Sequence, residues 1–238
     1  MNAKNRTLQE LDMNEKSYFK YKSFGMNEYI DKLLLRIRSQ CYDLFYNSFK
    51  ISNESQILDI GVSLDSHPAS NFLEKHYPWK NNITAVSIDD CKIIEKQFPG
   101  LKFVQADGKE MPFENESFDF SHSHAVIEHV GNDEEQIRFL NELWRVSKYG
   151  VFLTTPNRAH PIETHTGLPC VHYLPNGFYQ KVFGFLGFDT YRSIDQLNLL
   201  SVKKLTNLCE QSNIGNNYQI KYVNWLGLPS NILLIVQK

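Results

Sequence analysis

The chain has 238 residues, 42% hydrophobic and 22% charged, enough to bury one generous core and too apolar to stay disordered. Lys and Arg total 25 against 27 Asp and Glu, a net charge of -2 without the basic surplus that neutralises phosphates, so no nucleic-acid partner is expected. The four cysteines, Cys41, Cys91, Cys170 and Cys209, form no C-x-x-C pair, which argues against a zinc ribbon or disulfide scaffold and fits a reducing, cytoplasmic setting. In chain order, residues 1–24 are polar and then aromatic at Tyr18, Phe19, Tyr21 and Phe24, without the apolar core of a signal peptide. From Met26 to Phe49 the residues Ile30, Leu33, Leu34, Ile37, Cys41, Leu44 and Phe45 share one face of a helix, with Lys32, Arg36 and Arg38 mostly on the other. This predicts an N-terminal helical cap over 1–52, packed on the chain's own core. No stretch approaches the roughly 18 apolar residues of a membrane span.

After Ser52-Asn53 short apolar runs alternate with helical stretches. Strands are predicted at Gln56–Ile60, Ile83–Ile88, Leu101–Ala106, Phe118–Ser123 and Val151–Thr155, with helices at Ala69–His76, Cys91–Phe98 and Asp133–Ser147 between them. The last of these reads as capped by Asp133 with Gln136 completing a capping box. Such alternation, with near-continuous apolar strands, implies a doubly wound α/β domain over 53–238. Residues 156–200 break the rhythm with four prolines, four glycines and seven aromatics between Tyr173 and Tyr191. A long irregular stretch of this kind is usually functional. Ser201 then caps a helix to about Asn213, followed by strands near Tyr218–Val223 and Ile232–Val236.

Ligands of open α/β sheets bind beyond the carboxyl ends of the strands. Four strand ends here suit a nucleoside. Leu58-Asp59-Ile60-Gly61 ends in a glycine that lets backbone approach a ligand. Asp89-Asp90 offers a carboxylate for a ribose diol, Asp107-Gly108 is placed to meet an adenine amino group, and the run Ser121-His122-Ser123-His124 leaves the sheet polar. In their order and spacing these residues, with ADGKEMPFENESFDF (106–120), AVIEHV (125–130), FLNELWRVSKYGVFLTTPN (139–157) and NLL (198–200), make the chain similar to class I S-adenosylmethionine-dependent methyltransferases, especially small bacterial ones with a type-11 methyltransferase domain. The likeness covers roughly 55–157.

That resemblance implies a seven-stranded Rossmann-like sheet ordered 3-2-1-4-5-7-6 with strand 7 antiparallel, and S-adenosylmethionine as cofactor. It implies cofactor contacts at Asp59, at Gly61 (the methionine end), at Asp89 (ribose), at Asp107 and Gly108 (adenine), and at Ser123 and His124 near the methyl-bearing sulfur. Asp89 is preferred to Asp90, since strand neighbours point oppositely. One departure stands out: the family's G-x-G-x-G loop reads Gly61-Val62-Ser63-Leu64-Asp65 here, so the loop takes another path around Asp65–Pro68 or binds cofactor poorly. A non-catalytic S-adenosylmethionine-binding module is therefore an alternative. An NAD-dependent oxidoreductase is a more distant one, because its G-x-G-x-x-G spacing is absent.

Six of eight histidines lie between His122 and His172, a concentration that suits base chemistry near neutral pH. His129, just after the fourth strand, is the first candidate base. His165 is the second, with Glu163 as its orienting carboxylate. His160, His165 and Glu163 could converge on a metal, but none shows an established ligand spacing, and no metal is expected. The 156–200 insert, with Tyr173 and Phe178 among its aromatics, is expected to form an acceptor-binding lid. The acceptor is expected to be a small molecule or sugar, methylated on a hydroxyl. The resemblance further implies a role in bacterial cell-surface polysaccharide synthesis.

Overall fold

The structure, a computed structural model, describes residues 27–175 and 177–238, without the side chains of residues 27–30 and Thr190. Tyr18, Phe19, Tyr21, Phe24, Met26 and the Ile30 side chain therefore lie outside the described residues. Strands β1 (Ile57–Ile60), β2 (Ile83–Ser87), β3 (Lys102–Gln105), β4 (Phe118–His124), β5 (Ser147–Pro156), β6 (Tyr218–Trp225) and β7 (Leu228–Gln237) form one sheet ordered β3-β2-β1-β4-β5-β7-β6. The strands from β3 to β5 pair in parallel, and β7 runs antiparallel to both β5 and β6. This is the Rossmann-like methyltransferase order.

Both faces of the sheet are covered, which is why its central strands read as continuous apolar runs. Ile57, Ile83, Ala85, Phe152, Leu233 and Ile235 point to one side, where Ile37, Cys41, Phe45 and Phe49 of helix α1 (Asn27–Ser48) and its exit cover them. Leu58, Val86, Val151, Leu153, Leu234 and Val236 point to the other, onto Phe139, Leu140 and Leu143 of α4 (Asp133–Val146) and Leu205 and Leu208 of α6 (Val202–Glu210). Short helices α2 (Phe72–His76) and α3 (Ile94–Gln97) lie between β1, β2 and β3, and α5 (Phe178–Phe185) belongs to the insert after β5. No helix among the described residues is long and apolar enough to cross a membrane.

Among the element boundaries that differ from expectation, three have an identifiable cause. Asn71 adopts a left-handed backbone (φ 48), so α2 starts at Phe72 rather than Ala69. The cap of α4 is Asn132, whose side chain accepts from the Glu135 N–H, with Asp133 inside the first turn. Gln136 completes no capping box. It is buried and donates to the Ile127 and Asn198 carbonyls, 3.0 Å each. Strand β5 begins at Ser147, immediately after α4. There Ser147 Oγ lies within hydrogen-bond distance of both Ser121 Oγ of β4 (2.7 Å) and the Leu143 carbonyl (2.6 Å).

The loop from Asp107 to Ser117 is tied to α4 by two side chains. Glu142 Oε2 accepts the Met111 N–H at 2.9 Å, and Arg145 donates to the Met111 and Phe113 carbonyls. The MPF and ELWRV segments therefore work as one unit. On the opposite face, Phe45 is fully buried against Phe49, His122 and Phe152, with ring centroids 5.0–5.9 Å apart. Phe45→Ala should cost about 3–5 kcal/mol by leaving a cavity between α1 and the sheet. Chemical denaturation checks this, and a loss below 1 kcal/mol would mean that α1 contributes little to the core.

Candidate functional site

The carboxyl ends of β1 and β4 meet at Gly61. Its φ is +106°, and a Cβ built there would lie 2.1 Å from Val126 Cγ2. Val126 follows Ala125, itself left-handed (φ 56) and held by its N–H donating to the Thr154 carbonyl at 2.9 Å. A glycine at 61 thus lets the segment leaving β4 fold directly over the end of β1.

Beyond Gly61 the chain makes its turn with side chains instead of further glycines. Asn71 Oδ1 accepts the Ser63 N–H and Asn71 Nδ2 donates to the Ser63 carbonyl, 3.1 and 2.8 Å. Asp65 accepts from the His67 N–H and the Ser70 hydroxyl, while Lys75 Nζ donates to the His67, Pro68 and Ser70 carbonyls. The loop therefore follows another path through Asp65–Pro68, built on Asn71 and Asp65.

A cavity opens between this loop, α1 and the β4 end, lined by Arg38, Asp59, Gly61, Ser63, His122 and His124 among others. Arg38, placed by its sequence on the polar side of α1, reaches this cavity. Leu34, Arg38, Cys41 and Phe45 recur at helical spacing, so Arg38 lies at the border of the apolar stripe. Behind it, Asp59 Oδ1 lies 2.5 Å from His122 Nδ1. Burial raises the Asp59 carboxyl to about 6, against the lowering influence of Glu74 and Arg38. Burial lowers the His122 imidazole to about 4. Glu74, also fully buried, is pushed well above its usual range by burial and by the neighbouring Asp59 charge. A second, more open groove lies between α1 and the end of β6, lined by Arg36, Gln40, Asp43 and Asn224 among others, and it includes neither the β1 nor the β4 end.

The remaining strand-end residues are placed as follows. Asp89 is half-buried two residues beyond β2, whereas the exposed Asp90 accepts the Lys92 N–H and closes a turn. Asp107 accepts the Lys109 N–H at 2.9 Å just beyond β3. At Gly108 a Cβ would meet Phe139 Cε2 at 2.7 Å and Ile60 Cγ2 at 3.0 Å, so close packing of α4 requires this glycine. Ser123 is fully buried, its hydroxyl donating to the Ile60 carbonyl at 3.2 Å, while His124 borders the cavity.

The turn after β4 and the insert after β5 bring a second polar group together. His129 Nε2 and His165 Nε2 are 3.1 Å apart. Glu163, buried, takes four donors: the His165 N–H, His165 Nδ1 at 2.7 Å, and the Thr166 N–H and hydroxyl. Burial works against the Glu163 charge, but the His165 charge and these hydrogen bonds overcome it and hold the carboxyl at about 2. Burial likewise pulls His165 down, and Glu163 more than offsets it, so His165 stands raised. His129 donates Nδ1–H to the Gln196 carbonyl at 2.8 Å. Desolvation of its ring nitrogens, then the His165 charge, lower it, although 34% of the side chain is exposed.

His160 does not join this pair: its Nδ1 contacts the Ile162 backbone and its ring stacks on Trp225 at 5.0 Å. Glu128 takes that place. It is fully buried, with Oε2 accepting from the Thr155 hydroxyl of β5 at 2.9 Å and its backbone carbonyl accepting the Asn198 N–H at 2.7 Å. Sequence reasoning missed Glu128 and Asn198. For Glu128 the signal was an acid flanked by Ile127 in a segment leading from the sheet to α4. Asn198 belongs to the NLL run that carries the resemblance, but its role was not legible, because its partners Gly131 and Asp133 are over sixty residues away.

Within residues 156–200 the aromatics divide. Tyr179, Phe183 and Phe188 are buried with Leu197 and Leu199 in a small core of their own. Tyr173 and Phe178 remain 49% and 58% exposed, and the Tyr173 hydroxyl donates to the Ala159 carbonyl.

Residues 58–154 match a sequence-family model described as a methyltransferase domain. Among curated protein sequences, none matches. Solved structures similar to this chain include an S-adenosylmethionine-dependent methyltransferase of Methanosarcina mazei, 18% identical, spanning 82% of this chain and 96% of that one with a TM-score of 0.51. Another from Aquifex aeolicus is 13% identical, spanning 88% and 97% with a TM-score of 0.55. The magnesium protoporphyrin IX methyltransferase of Synechocystis, solved with bound S-adenosylhomocysteine, is 12% identical over 93% and 96% with a TM-score of 0.53.

The Gly61 geometry generates a direct test. Gly61→Ala should destabilise the fold by about 1–3 kcal/mol through backbone strain, with the Val126 clash added. Adding Val126→Ala should recover the clash but not the strain. Equal stability of wild type and Gly61→Ala in urea would overturn the assigned contact.

Proposed function

We propose that the chain is a class I S-adenosylmethionine-dependent methyltransferase, as the methyltransferase-domain match over residues 58–154 and the order of its sheet support, and that it methylates a hydroxyl of a small-molecule or sugar acceptor. The observation that carries the acceptor side of this reading is the His129–His165 pair, held beside the β4 exit with Glu163 behind it. The donor set at the β1 and β4 ends fits a cofactor with a zwitterionic amino-acid end, since Arg38 and Asp59 bring both signs of charge to one cavity. Gly61 and His124 border the same space. Asp89 is the residue to hold the ribose, and the backbone around Asp107 and Gly108 the region to meet the adenine.

S-adenosylmethionine supplies a methyl group activated on a sulfonium. On the chain's side, most of the rate comes from holding acceptor oxygen, methyl carbon and sulfur in line. The His129–His165 pair takes the proton that the acceptor oxygen loses as it bonds to the methyl carbon and the carbon–sulfur bond breaks. The exposed faces of Tyr173 and Phe178 suit stacking on a sugar ring, which supports a glycan-type acceptor.

Three measurements test this. S-adenosylhomocysteine at about 100 times its dissociation constant should raise stability by about 2.7 kcal/mol in a thermal melt, and NAD should not. A shift with NAD alone would sink the assignment. Asp89→Ala should weaken cofactor binding by about 1.5–3 kcal/mol in calorimetry, and unchanged affinity would remove Asp89 from the ribose site. On an identified acceptor, His129→Ala or His165→Ala should lower turnover by about 10²–10⁴-fold with cofactor affinity nearly constant. Full turnover by both variants would leave alignment alone to carry the reaction.

A further inference from the structure

Both imidazoles of the pair have their tautomers set by their other nitrogens. His165 Nδ1 faces the Glu163 carboxylate and His129 Nδ1 faces the Gln196 carbonyl, and each of these partners can only accept. Each Nδ1 is therefore the donor, and each neutral ring presents its Nε2 lone pair to the other across 3.1 Å. Two lone pairs at that distance repel unless something positive lies between or beside them.

A third acceptor faces the same point. Glu128 Oε1 is buried with no hydrogen-bond donor, 4.0 Å from His129 Nε2 and 3.9 Å from His165 Nε2. A proton between the rings would satisfy the two nitrogens and leave that oxygen orphaned, a costly state for a buried polar atom. It would also leave the Glu128 and Glu163 carboxylates facing a single positive charge. A divalent cation answers all three acceptors and balances both carboxylates.

The distances fit such an ion. The point equidistant from the three atoms lies roughly 2.1–2.2 Å from each, close to the ~2.0–2.2 Å of zinc bonds to imidazole nitrogen and carboxylate oxygen. The surroundings fit as well. A ligating histidine commonly donates its second N–H to a carboxylate or a backbone carbonyl, and here Glu163 and Gln196 supply one of each. The 34% exposed face of His129 leaves a way in from solvent for a further ligand.

We propose that Glu128 Oε1, His129 Nε2 and His165 Nε2 form a binding site for a divalent transition metal of the zinc type, three-coordinate from the protein and open at one position. Two imidazoles and one carboxylate suit zinc, cobalt or iron(II) and not magnesium, which prefers an all-oxygen shell. The site itself needs nothing from the methyltransferase reading. Its role toward the acceptor rests on that reading: a hydroxyl bound at the open position becomes more acidic and gives its proton to water. With the ion bound, the pair acts as its ligands, and the base role described above is that of the metal-free chain.

The test is metal uptake by the whole chain after stripping with a chelator. Co²⁺ added to the metal-free protein should bind one ion per chain with the visible absorption of a low-coordinate site, and Zn²⁺ should displace it while Mg²⁺ does not. His129→Ala and His165→Ala, checked for folding by circular dichroism, should each bind at least 10²-fold more weakly. His76→Ala, at a histidine outside the site, should bind as wild type. No Co²⁺ spectrum, or a spectrum unchanged in both histidine variants, overturns the site. Calorimetry with S-adenosylhomocysteine on the metal-free chain separates the two readings. Cofactor binding without Co²⁺ uptake overturns the metal site alone. Co²⁺ uptake without cofactor binding upholds the site and overturns the methyltransferase assignment.

Discussion

A fully buried carboxylate, Glu128, stands where three parts of the chain meet, and the arrangement around the His129–His165 pair depends on how it is satisfied. Its side chain takes a hydroxyl from Thr155 at the end of β5, and its backbone carbonyl takes the N–H of Asn198 at the end of the insert. Its second carboxylate oxygen faces His129 and His165. A buried charge destabilises a fold strongly unless each of its lone pairs is answered. The β4 exit, the β5 end and the two ends of the 156–200 segment are therefore held in one relative placement. Asn198 extends the same seam to α4 by donating to the Gly131 carbonyl and to Asp133, while its own side-chain oxygen accepts from Lys204 of α6.

The loop beyond β1 follows a different physical rule. In a doubly wound sheet the strand ends are where the backbone must turn sharply, and glycine is the usual residue for such turns. In the loop after β1 this chain keeps only Gly61, where Val126 leaves no space for a Cβ. The following turn is stabilised by Asn71, Asp65 and Lys75, which occupy backbone donors and acceptors with side-chain groups. Asn71 itself accepts a left-handed backbone, which its short polar side chain tolerates better than most. A loop built in this way carries its own hydrogen bonds before any ligand arrives. It is also tied to α1, through His67 Nε2 and Asp31 Oδ1 at 3.0 Å, on the helix that carries Arg38 to the cavity.

The 156–200 segment joins a packed part to an exposed part. Tyr179, Phe183 and Phe188 close a small core, which lets an irregular stretch hold a defined shape without extending the main sheet. Arg158 reinforces it by donating to the His172 and Leu174 carbonyls and by lying 5.5 Å from the centre of the Tyr179 ring. The exposed Tyr173 and Phe178 are carried on that frame.

Local pattern was enough to read the strands, the α/β alternation and the helix that begins after Ser201, because period and capping are properties of neighbouring residues. The strand order came from the resemblance carried by Leu58–Gly61, Asp89-Asp90 and AVIEHV among others, and the sheet has that order. Boundaries slipped where one side chain had a distant partner: Gln136 is committed to Ile127 and Asn198 rather than to a capping box, and Asn132 caps α4 instead. Arg38 was misplaced because a helix face says which residues share a side, not which of them lie beside a cavity. His129, His165 and Glu163 could be named from residue type and position. The 3.1 Å approach of the two rings, and the carboxylate of Glu128 facing them in place of His160, could not. Thirty-six residues separate those histidines, and only the crossing of the β4 exit with the returning insert sets the distance between them. Residue type and spacing establish which chemical groups the chain carries to the strand ends; which of them touch is set only in the fold, since contact across that separation depends on how whole elements pack.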